Sequence, residues 1–90
     1  MKIKKDYVLK KIGYELIIVP INNEAIRFNG IITVNKTGAF LFNILQESDI
    51  SFEELIEKVM DHYDVDEGRA RNDALAFIKI CKDHSLLDEE

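Results

Sequence analysis

Apolar positions change their rhythm once along this chain. Up to Val34 they come in short runs rich in β-branched residues; after Asn35 they recur at steps of three and four. Tyr7-Val8-Leu9-Lys10-Lys11-Ile12 and Tyr14-Glu15-Leu16-Ile17-Ile18-Val19 read as two strands. Gly13 between them predicts a tight hairpin turn, and Pro20 stops the second run. Ile21-Asn22-Asn23-Glu24 is a loop by composition. Ala25–Phe28 fits neither template decisively. Asn29-Gly30 signals a turn, and Ile31-Ile32-Thr33-Val34 reads as a short third strand.

Three helices are expected after Asn35. Asn35 or Thr37 caps the first, whose Leu41, Phe42, Ile44 and Leu45 form a broad apolar stripe. Gln46-Glu47-Ser48-Asp49 ends it. Ser51-Phe52-Glu53-Glu54 is a capping box, with Ile50 and Leu55 at the two positions of a hydrophobic staple. Leu55, Ile56, Val59, Met60 and Tyr63 continue that helical spacing. Asp66 caps the third helix, expected over about residues 67–84. There Ala70, Ala74, Phe77, Ile78 and Cys81 share one face, while Leu75 and Ile80 fall on opposite flanks of it. Leu86-Leu87 returns to the core. The fold class expected is α+β: one domain spanning residues 1–90, with three N-terminal strands followed by three helices, a winged-helix-like inventory.

Composition narrows the functional classes. Ninety residues with 47% apolar and 32% charged residues suit a small globular domain and argue against disorder. No apolar run is long enough for a membrane span, no signal peptide is visible, and a single cysteine suits a reducing cytoplasm. The net charge of −5 is uneven: Lys2, Lys4, Lys5, Lys10 and Lys11 oppose only Asp6 at the start, and the acid excess lies beyond. A basic edge on an acidic body is poor for nucleic acid. Cys81 and His84 stand one helical turn apart, but structural zinc needs four ligands, and mid-stripe placement makes Cys81 a core residue. Glu53, Glu54, Glu57 and Asp61 form a solvated face. Asn35-Lys36-Thr37-Gly38 lacks the glycine spacing of a phosphate loop. No nucleophile, base and orienting group come together, so no enzyme is expected. Three strands cannot close a barrel, so an open edge is left. It could take an extended peptide, a covering helix or a second copy of the chain as a homodimer.

The ordered motifs resemble one family. Val34-Asn35-Lys36-Thr37-Gly38-Ala39 with Phe42 and Ile44-Leu45 is similar to the LNxTGAxxWxLL segment of PqqD-like proteins. Phe28-Asn29-Gly30, Ser51–Leu55, Tyr63–Asp66, Asp73-Ala74 with Phe77-Ile78, and Leu86-Leu87 follow that pattern in order. Three departures occur. Gln46–Asp49 replaces a DG turn, Ser85 stands where a glycine usually precedes the final Leu-Leu, and Phe42 replaces the common tryptophan.

The resemblance implies a RiPP recognition element, a domain that binds the leader segment of a ribosomally made precursor peptide. Such a domain presents the peptide to a modifying enzyme, often a radical S-adenosylmethionine enzyme. No cofactor is implied for this chain. Carried over, Ile31, Ile32, Thr33 and Val34 would pair with the leader backbone. The helix at 67–84 would supply the other wall, with Arg69, Arg71, Asp73, Leu75, Phe77 and Ile80 as candidate contacts. Arg69 and Arg71 could meet acidic leader residues. Two alternatives stand beside this. One is a winged-helix DNA-binding regulator, which the balanced charge of the 66–83 segment disfavours. The other is a structural subunit with its edge buried in a permanent partner.

Overall fold

The computed structural model describes residues 1–27 and 30–88. Strands β1 (Tyr7–Ile12) and β2 (Glu15–Pro20) form the expected hairpin. Gly13 turns it with φ of +62°, a conformation that costs a glycine little and most other residues more. A six-residue helix, α1 (Asn22–Arg27), follows, then β3 (Ile32–Val34), α2 (Lys36–Glu47), α3 (Phe52–His62) and α4 (Glu67–Asp83). The sheet is antiparallel in the order β1-β2-β3, so β2 is central and β3 is an edge.

Helix α1 corrects the loop expected at 21–24. A six-residue helix is too short to persist on propensity alone. Tertiary contacts hold it instead. The Glu24 carboxylate accepts from the buried Tyr7 hydroxyl at 3.2 Å, lies 3.3 Å from Lys4 Nζ and pairs with Arg27. Asn22 enters the helix at φ +53°, which asparagine tolerates, and its side-chain amide donates to Asp6. The Asn29-Gly30 turn and Phe28 fall on or beside residues outside the described set.

The later helices keep their predicted caps. Asn35 Oδ1 accepts from the Gly38 amide at 2.7 Å, so Asn35, not Thr37, caps α2. Ser51 and Glu54 form the reciprocal capping box, and Asp66 Oδ1 accepts from the Arg69 amide. Tyr63 is the C-cap of α3 rather than its last turn, and Met60 is exposed.

One core joins the sheet to the three long helices, built on Tyr7, Ile18, Ile32, Val34, Leu41, Phe42, Leu45, Leu55, Phe77 and Cys81. Ile3 is also fully buried there, bridged to Leu87, and the Ile3 amide donates to the Leu45 carbonyl. The charge pattern of the first residues gave no sign of this strap.

The end of α4 shows what backbone conformation Ser85 adopts where the resembled family usually has glycine. The Leu86 amide donates to the Cys81 carbonyl at 2.8 Å and the Ser85 amide to the Lys82 carbonyl at 3.3 Å, a Schellman closure. Ser85 occupies its left-handed position at φ +57°. A side chain there costs about 1–2 kcal/mol, offset in part by the extra freedom glycine gives the unfolded chain. Ser85→Gly should therefore raise stability by about 0.5–1 kcal/mol, and Ser85→Val should lower it; urea midpoints at constant slope check both.

The tether of α1 has its own pH window. Burial opposes ionisation of Glu24, but hydrogen bonds from Arg27 and Lys4 outweigh it and hold the carboxyl below its ordinary 4.5. Burial, reinforced by the Glu24 charge, pushes the Tyr7 hydroxyl above its ordinary 10.0. A lowered acid pKa contributes stability that is present above the unfolded value and lost on acidification. A raised tyrosine pKa contributes stability lost as pH rises past its unfolded value. Amide exchange of α1 should therefore be slowest between about pH 4.5 and 10 after correction for intrinsic rates, and Glu24→Gln should abolish the acid-side change.

Candidate peptide-binding edge and groove

The free edge of β3 follows from the hairpin register. Across an antiparallel ladder, facing residues alternate between pairs that exchange both backbone bonds and pairs that exchange none. Ile12 faces Glu15 and Tyr7 faces Pro20. One step further, Asp6 would face Ile21, and the Ile21 amide does donate to the Asp6 carbonyl at 2.9 Å. The bonded positions of β2 toward β1 are therefore Glu15, Ile17 and Val19. Pro20, which has no amide hydrogen, falls in a non-bonding pair.

Leu16 and Ile18 are left to bond β3, and they face Val34 and Ile32. Ile32 and Val34 thus spend their backbone groups on β2 and bury their side chains. Thr33, opposite Ile17, directs its amide and carbonyl outward. Ile31 precedes the strand and is 58% exposed. Of the four residues expected to pair with a peptide backbone, Thr33 is the strand residue whose backbone groups face that way.

A groove of about 210 Å³ runs between this edge and α4. Thr33 and Val34 line one side, and Asp73, Ala76, Phe77 and Ile80 line the other. Those four α4 residues recur at steps of three and four, so they form one stripe beside the buried face. Phe77 is 3% exposed and provides an apolar floor. Asn35, Thr37 and Gly38 close the groove where β3 passes into α2. A Cβ on Gly38 would lie 3.1 Å from Val34 Cβ and 3.4 Å from Phe77 Cδ1. A glycine at this point lets β3, α2 and α4 meet closely.

The two flanks of α4 are distinct. Arg69 pairs with Asp73 at 3.4 Å on the groove side, an exposed pair of little energetic weight. Arg71 lies on the other flank and bridges to α3. Its guanidinium donates to both oxygens of Glu53 and to Glu67, and it sits 6.0 Å from the Phe52 ring centroid. Those carboxylates, Glu53 first, hold its pKa above the ordinary guanidinium value. Leu75, 54% exposed, lies on the flank away from Ile80 and outside the groove. Asp73, Phe77 and Ile80 therefore come together with Thr33 and Val34, Arg69 reaches the groove only through its pair with Asp73, and Arg71 and Leu75 lie outside it.

Sequence reasoning missed Ala76, Asn35, Thr37 and Gly38. Continuing the 73–77–80 stripe by one position would have reached Ala76. A glycine three residues past a helix cap, where alanine is the better helix former, was the available sign of a close approach.

Cys81 is buried, not displayed. Burial pushes its thiol up to about 12, and no group of three potential metal ligands occurs among the described residues. No helix among the described residues is long and apolar enough to cross a membrane.

The arrangement is that of a small α+β domain with an open strand edge beside an apolar groove. The model for coenzyme PQQ synthesis protein D (PqqD) matches residues 15–87, and the chain belongs to that family. The solved structure of TbiB1 in complex with the TbiA(beta) leader peptide is similar to this one, with a TM-score of 0.72. That match covers 100% of this chain and 98% of the other at 20% identity, which establishes a shared fold. A search of curated proteins finds no match.

The neutral, enclosed state of Cys81 yields a simple test. Native protein at pH 8 should resist alkylation by iodoacetamide, and the rate should rise by orders of magnitude when urea unfolds the chain.

Proposed function

We propose that this protein is a non-catalytic adaptor that binds the leader segment of a ribosomally made precursor peptide and presents it to a modifying enzyme. The observation that carries this reading is the outward-facing backbone of Thr33 beside the groove lined by Ala76, Phe77 and Ile80. An added strand would exchange hydrogen bonds with Thr33, and alternate side chains would enter the groove. A free leader segment loses conformational entropy on binding, so the apolar groove must supply what so short a strand edge cannot. Membership of the PqqD family supports the reading. So does the likeness in fold to a protein seen with a leader peptide.

In this reading the Ile80 flank of α4 faces the peptide. Arg69 and Asp73 stand at its rim, Arg71 and Leu75 lie outside, and Ile31 prolongs the edge. The enzyme served is expected to be a radical S-adenosylmethionine enzyme, and the complex is expected in the cytoplasm. A second copy pairing through β3 would compete for the same edge.

The DNA-binding alternative finds less support. Of the four basic residues of α4, Arg69, Arg71 and Lys79 each pair with a carboxylate of this chain, leaving Lys82 without one among the described residues.

The test is NMR shift mapping with the synthetic leader of the precursor peptide encoded beside this gene, with duplex DNA as control. Saturable shifts at residues 31–34 and along Asp73, Ala76 and Ile80 are expected from the leader. Shifts from DNA alone would support the regulator, and silence from both would support a structural subunit. Thr33→Pro should weaken leader binding about tenfold or more, because it removes an outward amide while sparing the bonds to β2. Thr33→Ala should stay within about threefold. Equal losses in two folded variants would reject edge pairing.

A further inference from the structure

A second cleft opens at the same end of the sheet. Its volume is about 530 Å³, and it is lined by Lys11, Tyr14, Leu16, Val34, Asn35 and Lys36. Val34 and Asn35 also line the groove beside α4, so the two hollows lie on either side of these residues at the end of β3. The register places Lys11 opposite Leu16 and Leu16 opposite Val34, a row crossing all three strands on one face. Neighbouring strands lie about 4.8 Å apart, so the row spans about 10 Å, within reach of a few extended residues.

Two lysines line this cleft and, among the described residues, no carboxylate does. Arg27, Arg69, Arg71 and Lys79 each have a carboxylate partner. Lys11 and Lys36 form no ion pair among the described residues, and neither does Glu15 at the hairpin tip. Beside them Tyr14 is fully exposed and Leu16 is half-buried. Two unneutralised ammonium groups flanking an apolar floor complement a segment carrying both carboxylates and an apolar or aromatic side chain.

We infer that this cleft is a second subsite for the same peptide, taking an acidic residue just outside the strand-pairing segment, at the end that leaves β3 at Val34. The inference rests on the leader-binding reading and extends it. The paired strand supplies sequence-tolerant backbone bonds, and Lys11 and Lys36 select for charge in the flanking residues. Ion pairs at such a rim are screened by salt and contribute modestly.

The experiment measures leader affinity at low and high salt for wild type, Lys11→Gln/Lys36→Gln, Thr33→Pro, and Lys58→Gln/Lys82→Gln. The last pair neutralises lysines elsewhere on the surface, and circular dichroism confirms the fold of each variant. The probe is the synthetic leader named above, with a second version whose carboxylates are replaced by amides. The Lys11/Lys36 variant should lose about fivefold at low salt and lose most of its salt dependence, while the Lys58/Lys82 variant binds as wild type. The amide leader should show a similar loss with wild type and little further loss with the Lys11/Lys36 variant, as a shared interaction requires. Wild-type affinity for the Lys11/Lys36 variant together with failure of Thr33→Pro would overturn the subsite and leave the groove reading intact. A leader without carboxylates near its paired segment, or equal losses in both lysine pairs, would also overturn it. If no leader binds, or if Thr33→Pro binds normally, the adaptor reading falls and the subsite with it.

Discussion

The two-residue turn at Gly13 fixes the phase of every backbone hydrogen bond in the sheet. Once Ile12 faces Glu15, the odd residues of β2 belong to β1 and the even ones to β3. That phase accommodates Pro20 without loss and commits Ile32 and Val34 to the interior. It also turns Thr33 outward. Thr33 could bond β2 only if β3 rotated by half a turn, which would carry Ile32 and Val34 out of the core. The outward edge at Thr33 is therefore a property of the sheet register as much as of β3 itself.

The helices place the second wall by similarly local means. The Asn35 cap starts α2 immediately after β3, and Gly38 lets its first turn press against Val34 and Phe77. Arg71 joins the start of α4 to the start of α3 through Glu53, fixing one flank of α4 and leaving the Ile80 flank open. A residue that looks from sequence like a ligand contact thus serves a helix junction. Its neighbour Arg69, two positions away, pairs instead with Asp73 of the groove lining.

Local signals explain why most of the fold was legible in the sequence. The hairpin, the capping box at Ser51, the Asp66 cap and the buried stripe of α4 each depend on residues a few positions apart. What escaped notice depends on contacts distant in sequence. Helix α1 exists because Glu24 meets Tyr7 and Lys4, and no composition rule for Ile21–Glu24 contains that fact. Ile3 is buried because it crosses to Leu45 and Leu87. At the groove, spacing correctly separated Leu75 from Ile80 but could not say which flank faced β3, since that is decided by packing among three elements. The backbone phase that singles out Thr33 needs the strand register, which the sequence implied only through the Gly13 turn.

The close approach at Gly38 has a consequence for how such a domain can change. Val34 and Phe77 belong at once to the core and to the lining of the groove, and Gly38 is the space between them. A mutation that widens or narrows the groove at this point must also loosen or overfill the core. The shape of the groove and folding stability are therefore not independently adjustable there. Change is freer at Thr33, Asp73 and Ile80, whose side chains reach solvent, and substitutions there would reshape the groove's rim without disturbing the core.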